Sequence, residues 1–336
     1  MSHLIDSMFY VGETPWHGLG TALDKPPTIE EALKLAGLNW NVSKVPTYYE
    51  ITQNNLGGGT SCRDKETGHF VTIRDDKQSV LGNVGTKYEV LQNQEAFEPF
   101  KVILDYGFTL ETAGSIDEGK KVWILAKTPE KYLVGDDAVD DYILMYTSHD
   151  GSSGSCFRDV YIRVVCNNTL QAGLGRGTSV EYKLRHTSSI HERVNELTTQ
   201  LKERNGNVKL AMDEMNRMVD VDMTPEMLKL YIESVMPVLK NRHRESVPEL
   251  GIWVRNKTKP VYDKITDLFY NGKGNKGRTV WDAYNAITEY HDHHKKHQSD
   301  WVKSTQFGQS NLDKRRAFLV ASQIAKKSAS TQIGVS

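Results

Sequence analysis

Side chains that could carry chemistry are concentrated between Tyr142 and His186. His149 lies shortly before Cys156, and a thiol close to a histidine base would suit nucleophilic catalysis. No motif supplies an oxyanion hole, however, and a cysteine within a strand is typically buried and unreactive. The stretch combines cations with Ser and Gly loops, which favours binding of anions such as phosphate groups. The cations predicted to line the sheet are Arg158, Arg163, Lys183 and Arg185.

A glycine-rich segment, residues 272–279, resembles the phosphate-binding loop G-x4-G-K-[ST], with Arg278 in place of the lysine. Such a loop should follow a buried parallel strand, whereas the preceding residues read as an amphipathic helix, so nucleotide hydrolysis is disfavoured. Glycine amides and cations ahead of a helix N-terminus would still hold a backbone phosphate. The alternative is a plain connector between two helices.

The longer segment from Lys240 to Arg278 holds ten Lys and Arg but four acidic residues, with aromatic residues between them. Grooves for single-stranded nucleic acid combine these residue types because phosphates need charge and unpaired bases need aromatic surfaces. The alternative is that the aromatic residues are core and the cations are solvated. Trp253 is predicted to stack on a base. The residues predicted to contact phosphates are Arg255, Lys257, Lys259, Lys273, Lys276 and Arg278.

Four histidines between residues 291 and 297 raise the question of a metal site. His293 and His297 are four residues apart on a predicted helix, as metal ligands can be. His291 instead continues an apolar stripe, and Lys295 and Lys296 would repel a dication. We therefore predict no metal, no cofactor and no catalytic residue.

The charge of the chain is strongly polarised. Residues 1–150 carry 13 Lys and Arg against 23 Asp and Glu, and residues 151–336 carry 29 against 20. A partner is therefore expected on the basic half, although two charged surfaces that face solvent would give the same counts. The three cysteines have no metal-like spacing, and the sequence has no membrane-length apolar run and no signal peptide. These features predict a cytoplasmic protein, away from membranes.

The first half of the chain contains short runs rich in β-branched and aromatic residues, which predict strands. Asn93 is expected to cap the one helix among them. The predicted strands are 42–52, 69–74 and 86–91, a hairpin over 108–128, and three further strands between Tyr142 and His186.

From Thr187 onward apolar residues recur every three or four positions, which predicts helices. Strands followed by helices indicate an α+β fold, with a mainly antiparallel sheet in the N-terminal half and a helical C-terminal half. We predict a sheet-rich region at 1–186, a helical region packed on it at 187–327, and a flexible tail at 328–336.

Several sequence elements, in order along nearly the whole chain, resemble the phage/plasmid-like proteins with domain of unknown function 932. This family is found mainly in bacteriophages, prophages and conjugative plasmids, so the resemblance implies a role in DNA metabolism. His291 stands where the family is expected to have an apolar residue, which makes a shared histidine site doubtful. The elements are PWHGLG (15–20), VGTKYEVLQNQEAF (84–97), GSIDEGKKVWILA (114–126), SHDGSSG (148–154), RVVCNNTL (163–170) and TVWDAYNAITEYHDH (279–293).

These observations predict a non-enzymatic nucleic-acid-binding protein of phage or plasmid origin. It would bind single-stranded DNA, or RNA by the same chemistry. Its resemblance to single-strand annealing proteins implies that it also anneals single strands. The annealing proteins often form rings, so a homo-oligomer is expected. The alternative is a protein-interaction factor, such as a host-factor inhibitor or a DNA mimic, that uses the acidic N-terminal half.

Overall fold

The structure, a computed structural model, describes residues 5–12, 19–54, 60–165, 168–170, 181–194, 196, 205–236, 248–295 and 308–333. The described strands are β1 (Ile5–Val11), β2 (Thr21–Leu23), β3 (Val42–Asn54), β4 (Thr60–Arg74), β5 (Ser79–Val84), β6 (Thr109–Ile116), β7 (Lys121–Val134), β8 (Asp137–Ser148), β9 (Ser155–Arg163), β10 (Asn168–Leu170) and β11 (Glu181–Leu184). The described helices are α1 (Ile29–Leu35), α2 (Asn93–Leu104), α3 (Asn205–Val219), α4 (Pro225–Val235), α5 (Pro248–Asn271), α6 (Val280–Glu289) and α7 (Gln309–Ile333). Sheets in the N-terminal half and helices mostly in the C-terminal half confirm the predicted α+β class.

Eight strands form the main sheet in the order β10-β9-β8-β7-β6-β1-β2, with β11 paired to the first residues of β9. Its described pairs are antiparallel except the parallel pair β1 and β2. The predicted hairpin is confirmed as β6 and β7. The prediction of a strand at 86–91 is wrong. There, Lys44 Nζ donates to the carbonyl oxygens of Thr86 and Tyr88, and the backbone is irregular.

The two ends of the main sheet bury one face against different partners. At one end, α1 and α2 pack on residues of β1, β6, β7, β8 and β9. At the other end, the C-terminal helices pack on Val134, Val139 and Tyr161. Ile190 and Val194, in a short helical segment at 190–194, belong to the first of these cores. The start of the predicted helical region therefore packs with the sheet.

A separate small sheet has the order β3-β4-β5. β5 pairs with β4 only from Phe70 to Arg74, whereas β3 and β4 remain paired as far as Asn54 and Thr60. Beyond β5 these two strands continue as a two-stranded ribbon, which we call the β3–β4 ribbon (residues 47–54 and 60–67). The exposed fractions of Tyr48 and Tyr49 in this ribbon are 55% and 46%.

Two of the C-terminal helices begin at threonine N-caps. The Thr224 side chain accepts from the Met227 amide at the start of α4. Thr279 and Asp282 form a reciprocal capping box at the start of α6, which continues into a π-helical turn at Tyr290–His294. The last helix, α7, extends to Ile333, so the first residues of the predicted tail are helical. Within the described residues, no helix is both long and apolar enough to cross a membrane.

Candidate nucleic-acid interface

The second face of the main sheet carries a row of aromatic side chains. Trp123 lies directly opposite Tyr146 in the β7–β8 pair, and Lys127 lies opposite Tyr142. Residues that are directly opposite in an antiparallel pair project from the same face, so the register fixes the membership of this face. We call it the aromatic face. Its hydrophobic cluster consists of Ile5, Met8, Tyr10, Ile116, Trp123, Leu125, Tyr142, Leu144, Tyr146, Val160 and Ile162.

Every member of that cluster belongs to a strand, and no helix of the described residues contributes to it. The side chains of Tyr10, Tyr142 and Tyr146 are half-buried, whereas Trp123 is nearly buried. The opposite face, by contrast, is covered by α1 and α2 and is almost fully buried. Ile116, Leu144 and Val160 are also buried, at 0–5% exposed, so the accessible rings of the aromatic face are those of Tyr10, Tyr142 and Tyr146.

The position of the Trp123 indole depends on its close packing against Gly114, the residue opposite it on β6. A Cβ at Gly114 would lie 2.5 Å from Trp123 Cη2 and 2.5 Å from the carbonyl oxygen of Ser7. Because one obstacle is backbone, a side chain at residue 114 would have to displace β1 as well as the indole. The glycine thus sets the position of the ring on the aromatic face.

We expect Gly114→Ala to lower the free energy of unfolding by about 1–3 kcal/mol, the usual cost of overpacking. Urea denaturation followed by tryptophan fluorescence would measure it. Gly85→Ala is the matched control, because a Cβ at Gly85 would meet nothing within 4 Å. Equal stability of the two variants would contradict the close packing of Trp123 on Gly114.

Cations and acids lie at different ends of the aromatic face. Near the β8–β9 loop, the Arg158 guanidinium carbon lies 6.0 Å from the centre of the Tyr146 ring. Lys121 begins β7 at this end, and exposed Lys183 lies opposite Cys156 on β11. Arg158 therefore lies beside the Tyr146 ring, and Lys121 and Lys183 lie at the same end of the same face. This position agrees with the predicted sheet lining for Arg158 and Lys183, although Arg158 is only 5% exposed.

The other end of the aromatic face is acidic. Lys127 Nζ lies 2.6 Å from Asp140 Oδ2 and 5.7 Å from the centre of the Tyr142 ring. Burial raises the pKa of Glu111, and burial together with the Asp140 charge raises the pKa of Tyr142. A polyanion is thus favoured at the Tyr146 end and disfavoured at the Tyr142 end.

Arg163 is not on the aromatic face, which corrects the prediction that it lines the same surface as Arg158. The two residues are five apart, and an odd separation in a strand places side chains on opposite faces. Arg163 is 1% exposed, and its Nη2 lies 2.6 Å from Asp137 Oδ2. It also donates to Asn275 Oδ1 (2.8 Å) and to the Gly274 carbonyl oxygen (2.7 Å). Arg163 therefore ties β9 to the glycine-rich segment and is inaccessible to a ligand.

The glycine-rich segment has its backbone donors occupied by its own helix cap. The amides of Lys276, Arg278 and Thr279 donate to the two carboxylate oxygens of Asp282, at 2.9–3.1 Å. These are the donors that would otherwise bind a phosphate at a helix N-terminus. The geometry therefore favours a connector held by Asp282 over a phosphate-binding loop.

The cations of this segment are paired with carboxylates. Lys276 lies 3.0 Å from Asp136, and Arg278 lies 3.0 Å from Asp222. Both pairs border a cleft of about 490 Å³. Its charged lining residues are Asp136, Asp137, Asp220, Asp222, Asp282, Lys276 and Arg278. With five carboxylates against two cations, this cleft does not favour an anion.

The remaining predicted contacts are dispersed. Lys259 is exposed and lies 2.6 Å from Asp263 on its own helix. Lys273 and Arg185 are exposed, Lys273 on the glycine-rich segment and Arg185 beyond the end of β11. The backbone of 253–257 is helical, but the side chains of Trp253, Arg255 and Lys257 lie outside the described residues.

His291 is part of a buried charged network, whereas His293 and His294 are exposed. His291 is buried, with Nε2 3.9 Å from Asp313 Oδ2 and Nδ1 3.5 Å from Lys295 Nζ. Nearby, buried Lys314 lies 2.6 Å from Asp292. Across the part of the chain that the structure describes, no three His, Cys, Asp or Glu side chains are arranged to hold a metal ion. His297 lies outside that part.

His149 is engaged in the core near the β8–β9 loop. Its Nε2 lies 2.9 Å from Asn93 Oδ1, and its ring packs edge-on against Trp40. Asn93 is therefore a buried bridge, and the N-cap of α2 is Gln92. Burial, and secondarily the neighbouring His186, lowers the pKa of His149 to about 3. A neutral, fully buried imidazole serves packing better than catalysis with Cys156.

The aromatic face is visible in the sequence as large apolar side chains at every second position of two strands. Trp123 and Leu125 alternate along β7, and Tyr142, Leu144 and Tyr146 alternate along β8. Each of these strands is also apolar on its other face, which hides the alternation within nearly continuous apolar runs.

A model of a family described as a domain of unknown function (DUF932) matches residues 80–319 of the chain. No curated protein and no solved structure matches the chain. The matched residues include β6 to β11 and all of the described helices from α2 to α6, and therefore most of the aromatic face.

Proposed function

Because the chain belongs to the DUF932 family, whose domain has no assigned function, we propose a function from its geometry: non-enzymatic binding of single-stranded nucleic acid on the aromatic face. The observation that carries the proposal is the set of half-buried tyrosine rings on one face of an antiparallel sheet, with Arg158 beside Tyr146. The proposed setting, DNA replication or recombination, follows from the family resemblance.

Rings on a sheet suit unpaired bases because every base has an aromatic face that can stack. Trp123 and Tyr146 are direct neighbours on adjacent strands, and Tyr10 lies farther along the same face. A duplex has its bases stacked inside and could not use these rings. Single strands should therefore bind more tightly than duplexes of the same length.

The distribution of charges limits where a bound nucleic-acid strand can lie on the sheet. Phosphates would lie near Lys121 and exposed Lys183, with nearly buried Arg158 contributing positive charge beneath them. The nucleic-acid backbone would leave the face before it reaches Glu111 and Asp140. Few phosphates are contacted in this arrangement. Affinity should therefore depend on salt with a shallow slope, and stacking should contribute much of the binding energy.

Fluorescence anisotropy with labelled single- and double-stranded oligonucleotides at two ionic strengths tests the proposal. Tyr146→Leu keeps the apolar bulk but removes the aromatic ring, and should weaken single-strand binding by about 1–3 kcal/mol. Lys183→Ala should reduce the salt slope by about 0.7, the value for one phosphate contact on a single strand. Circular dichroism should show that both variants remain folded.

The matched control is the triple variant Lys273→Ala, Lys276→Ala, Arg278→Ala. It removes more positive charge than Lys183→Ala, but from the glycine-rich segment, and should leave the slope unchanged. If the triple variant flattens the slope while Tyr146→Leu has no effect, the ligand binds at the glycine-rich segment and the proposal for the aromatic face fails. Equal affinity for duplex and single strand would also count against it.

The protein-interaction factor remains the second candidate because of one observation on the acidic half. In the β3–β4 ribbon, Glu50 lies directly opposite Asp64, next to Glu66 on the same face. Like charges placed opposite each other are unfavourable unless something compensates them. Purification from host lysate with nuclease treatment separates the candidates, because a nucleic-acid complex would be lost and a protein complex retained.

A further inference from the structure

The β3–β4 ribbon presents two strand edges that differ in chemistry. Among the residues that the structure describes, β5 covers only the base of β4, and β3 is the last strand of its sheet on the other side. On β4 the uncovered edge carries the consecutive charged residues Asp64, Lys65 and Glu66, all exposed. On β3 it carries Tyr48, Tyr49, Glu50, Ile51 and Thr52, with one charge among them.

Charged residues are the usual protection of an edge strand against pairing with another chain. The β4 edge has this protection, whereas most of the β3 edge lacks it. Two-stranded ribbons are also marginally stable in water on their own. Both features favour the pairing of another β-strand with the outer edge of β3 in the functional protein.

We propose that the outer edge of β3 pairs with the same edge of a second copy of this chain, about a two-fold axis at Tyr49. A two-fold axis perpendicular to a sheet makes the contact isologous, so that each residue meets its symmetry counterpart at the axis. The small sheets of the two copies would then join into one six-stranded antiparallel sheet. In the shared sheet, the outer backbone N–H and C=O groups of both β3 strands are hydrogen-bonded.

The register follows from the side chains. With Tyr49 on the axis, Tyr49 meets Tyr49 of the second copy, and Tyr48 meets Glu50. Tyr48 already makes this kind of contact within the chain, where its hydroxyl donates to Glu66 Oε1 at 3.3 Å. An axis at Glu50 would place two carboxylates opposite each other, which is unfavourable.

The flanking residues fit the same register. Lys65 lies opposite Tyr49 within the chain, so the joined sheet carries a row of lysine, two tyrosines and lysine. Cations beside tyrosine rings are favourable neighbours. Pro46 cannot donate a hydrogen bond and lies at the base of the ribbon, which limits the pairing to residues from Thr47 onward.

Sedimentation of the full chain after nuclease treatment tests the dimer without relying on the proposed nucleic-acid function. We expect a concentration-dependent dimer. Tyr49→Lys would place two lysines on the axis and should weaken the dimer by roughly tenfold or more, the factor for 1.4 kcal/mol. Val80→Lys is the matched control, because Val80 is an exposed aliphatic residue on β5, the opposite edge strand of the same sheet, and should leave the dimer intact.

Disulfide formation tests the register in a Cys62→Ser background. Tyr49→Cys should cross-link two copies under oxidising conditions, because residues at the axis lie directly opposite each other. Thr47→Cys should not, since it would face Ile51 of the second copy. A monomer at every concentration overturns the proposal, as does a dimer that Tyr49→Lys leaves intact and Tyr49→Cys fails to cross-link. Neither result affects binding on the aromatic face.

Discussion

Arg163→Ala should lower the free energy of unfolding by about 3–5 kcal/mol, the usual cost of removing one partner from a buried ion pair. After the substitution the Asp137 carboxylate still accepts a hydrogen bond from the Trp281 indole N–H, at 2.7 Å, but lacks its buried cation. It also removes the donors to Asn275 Oδ1 and the Gly274 carbonyl oxygen. Three elements (β9, the start of β8 and the glycine-rich segment) would lose their common contact.

Urea denaturation measures this effect as a lower midpoint with an unchanged slope. Arg278→Ala is the control, because Arg278 is 75% exposed in its pair with Asp222 and should change stability by at most about 1 kcal/mol. Adding Asp137→Asn to Arg163→Ala should recover part of the loss by removing the unpaired charge. If Arg163→Ala costs no more than the control, the buried pair is not a structural tie.

Acidification should destabilise the fold strongly through His149. Its pKa falls from an ordinary value of 6.5 to about 3 in the folded state, so between these values the unfolded chain binds a proton that the folded chain does not. Stability is therefore fully present above pH 6.5 and falls with decreasing pH at about 1.4 kcal/mol per unit. Over the whole window the loss amounts to about 4–5 kcal/mol, and burial of His186 adds to it in the same direction.

Urea midpoints measured from above pH 6.5 downward test this dependence. Carboxylates titrate in part of the same range, so the informative quantity is the difference between wild type and His149→Gln. The glutamine amide can still donate to Asn93 Oδ1 but takes up no proton. The variant should lose stability less steeply than wild type, and parallel curves would show that His149 does not carry the acid sensitivity.

The sequence predicted well what depends on local pattern. Thr224 and Thr279 cap α4 and α6, a signal carried by a few neighbouring residues, although the cap predicted at Asn93 is instead Gln92. The β6–β7 hairpin follows from alternation around a short turn. The predicted strand at 86–91 failed because Lys44, more than 40 residues away, takes its carbonyl oxygens.

The candidate site was predictable only in part, because it depends on which face each side chain occupies. The sequence prediction places Arg158 and Arg163 on one surface, whereas strand periodicity places them on opposite faces. Lys276 and Arg278 were read as phosphate ligands, but Asp136 and Asp222, distant in sequence, lie beside them. Tyr146 was overlooked because its partners, Trp123 and Arg158, meet it only after three strands pair.

The position of β1 inside the main sheet has a consequence for how the chain is made on the ribosome. Thr112 Oγ1 donates to the Phe9 carbonyl oxygen, 103 residues away, and β6 is the antiparallel neighbour of β1. At about 5–20 residues per second, β1 must wait several seconds for β6 to be synthesised. During that interval its apolar residues are exposed in the nascent chain and accessible to a chaperone.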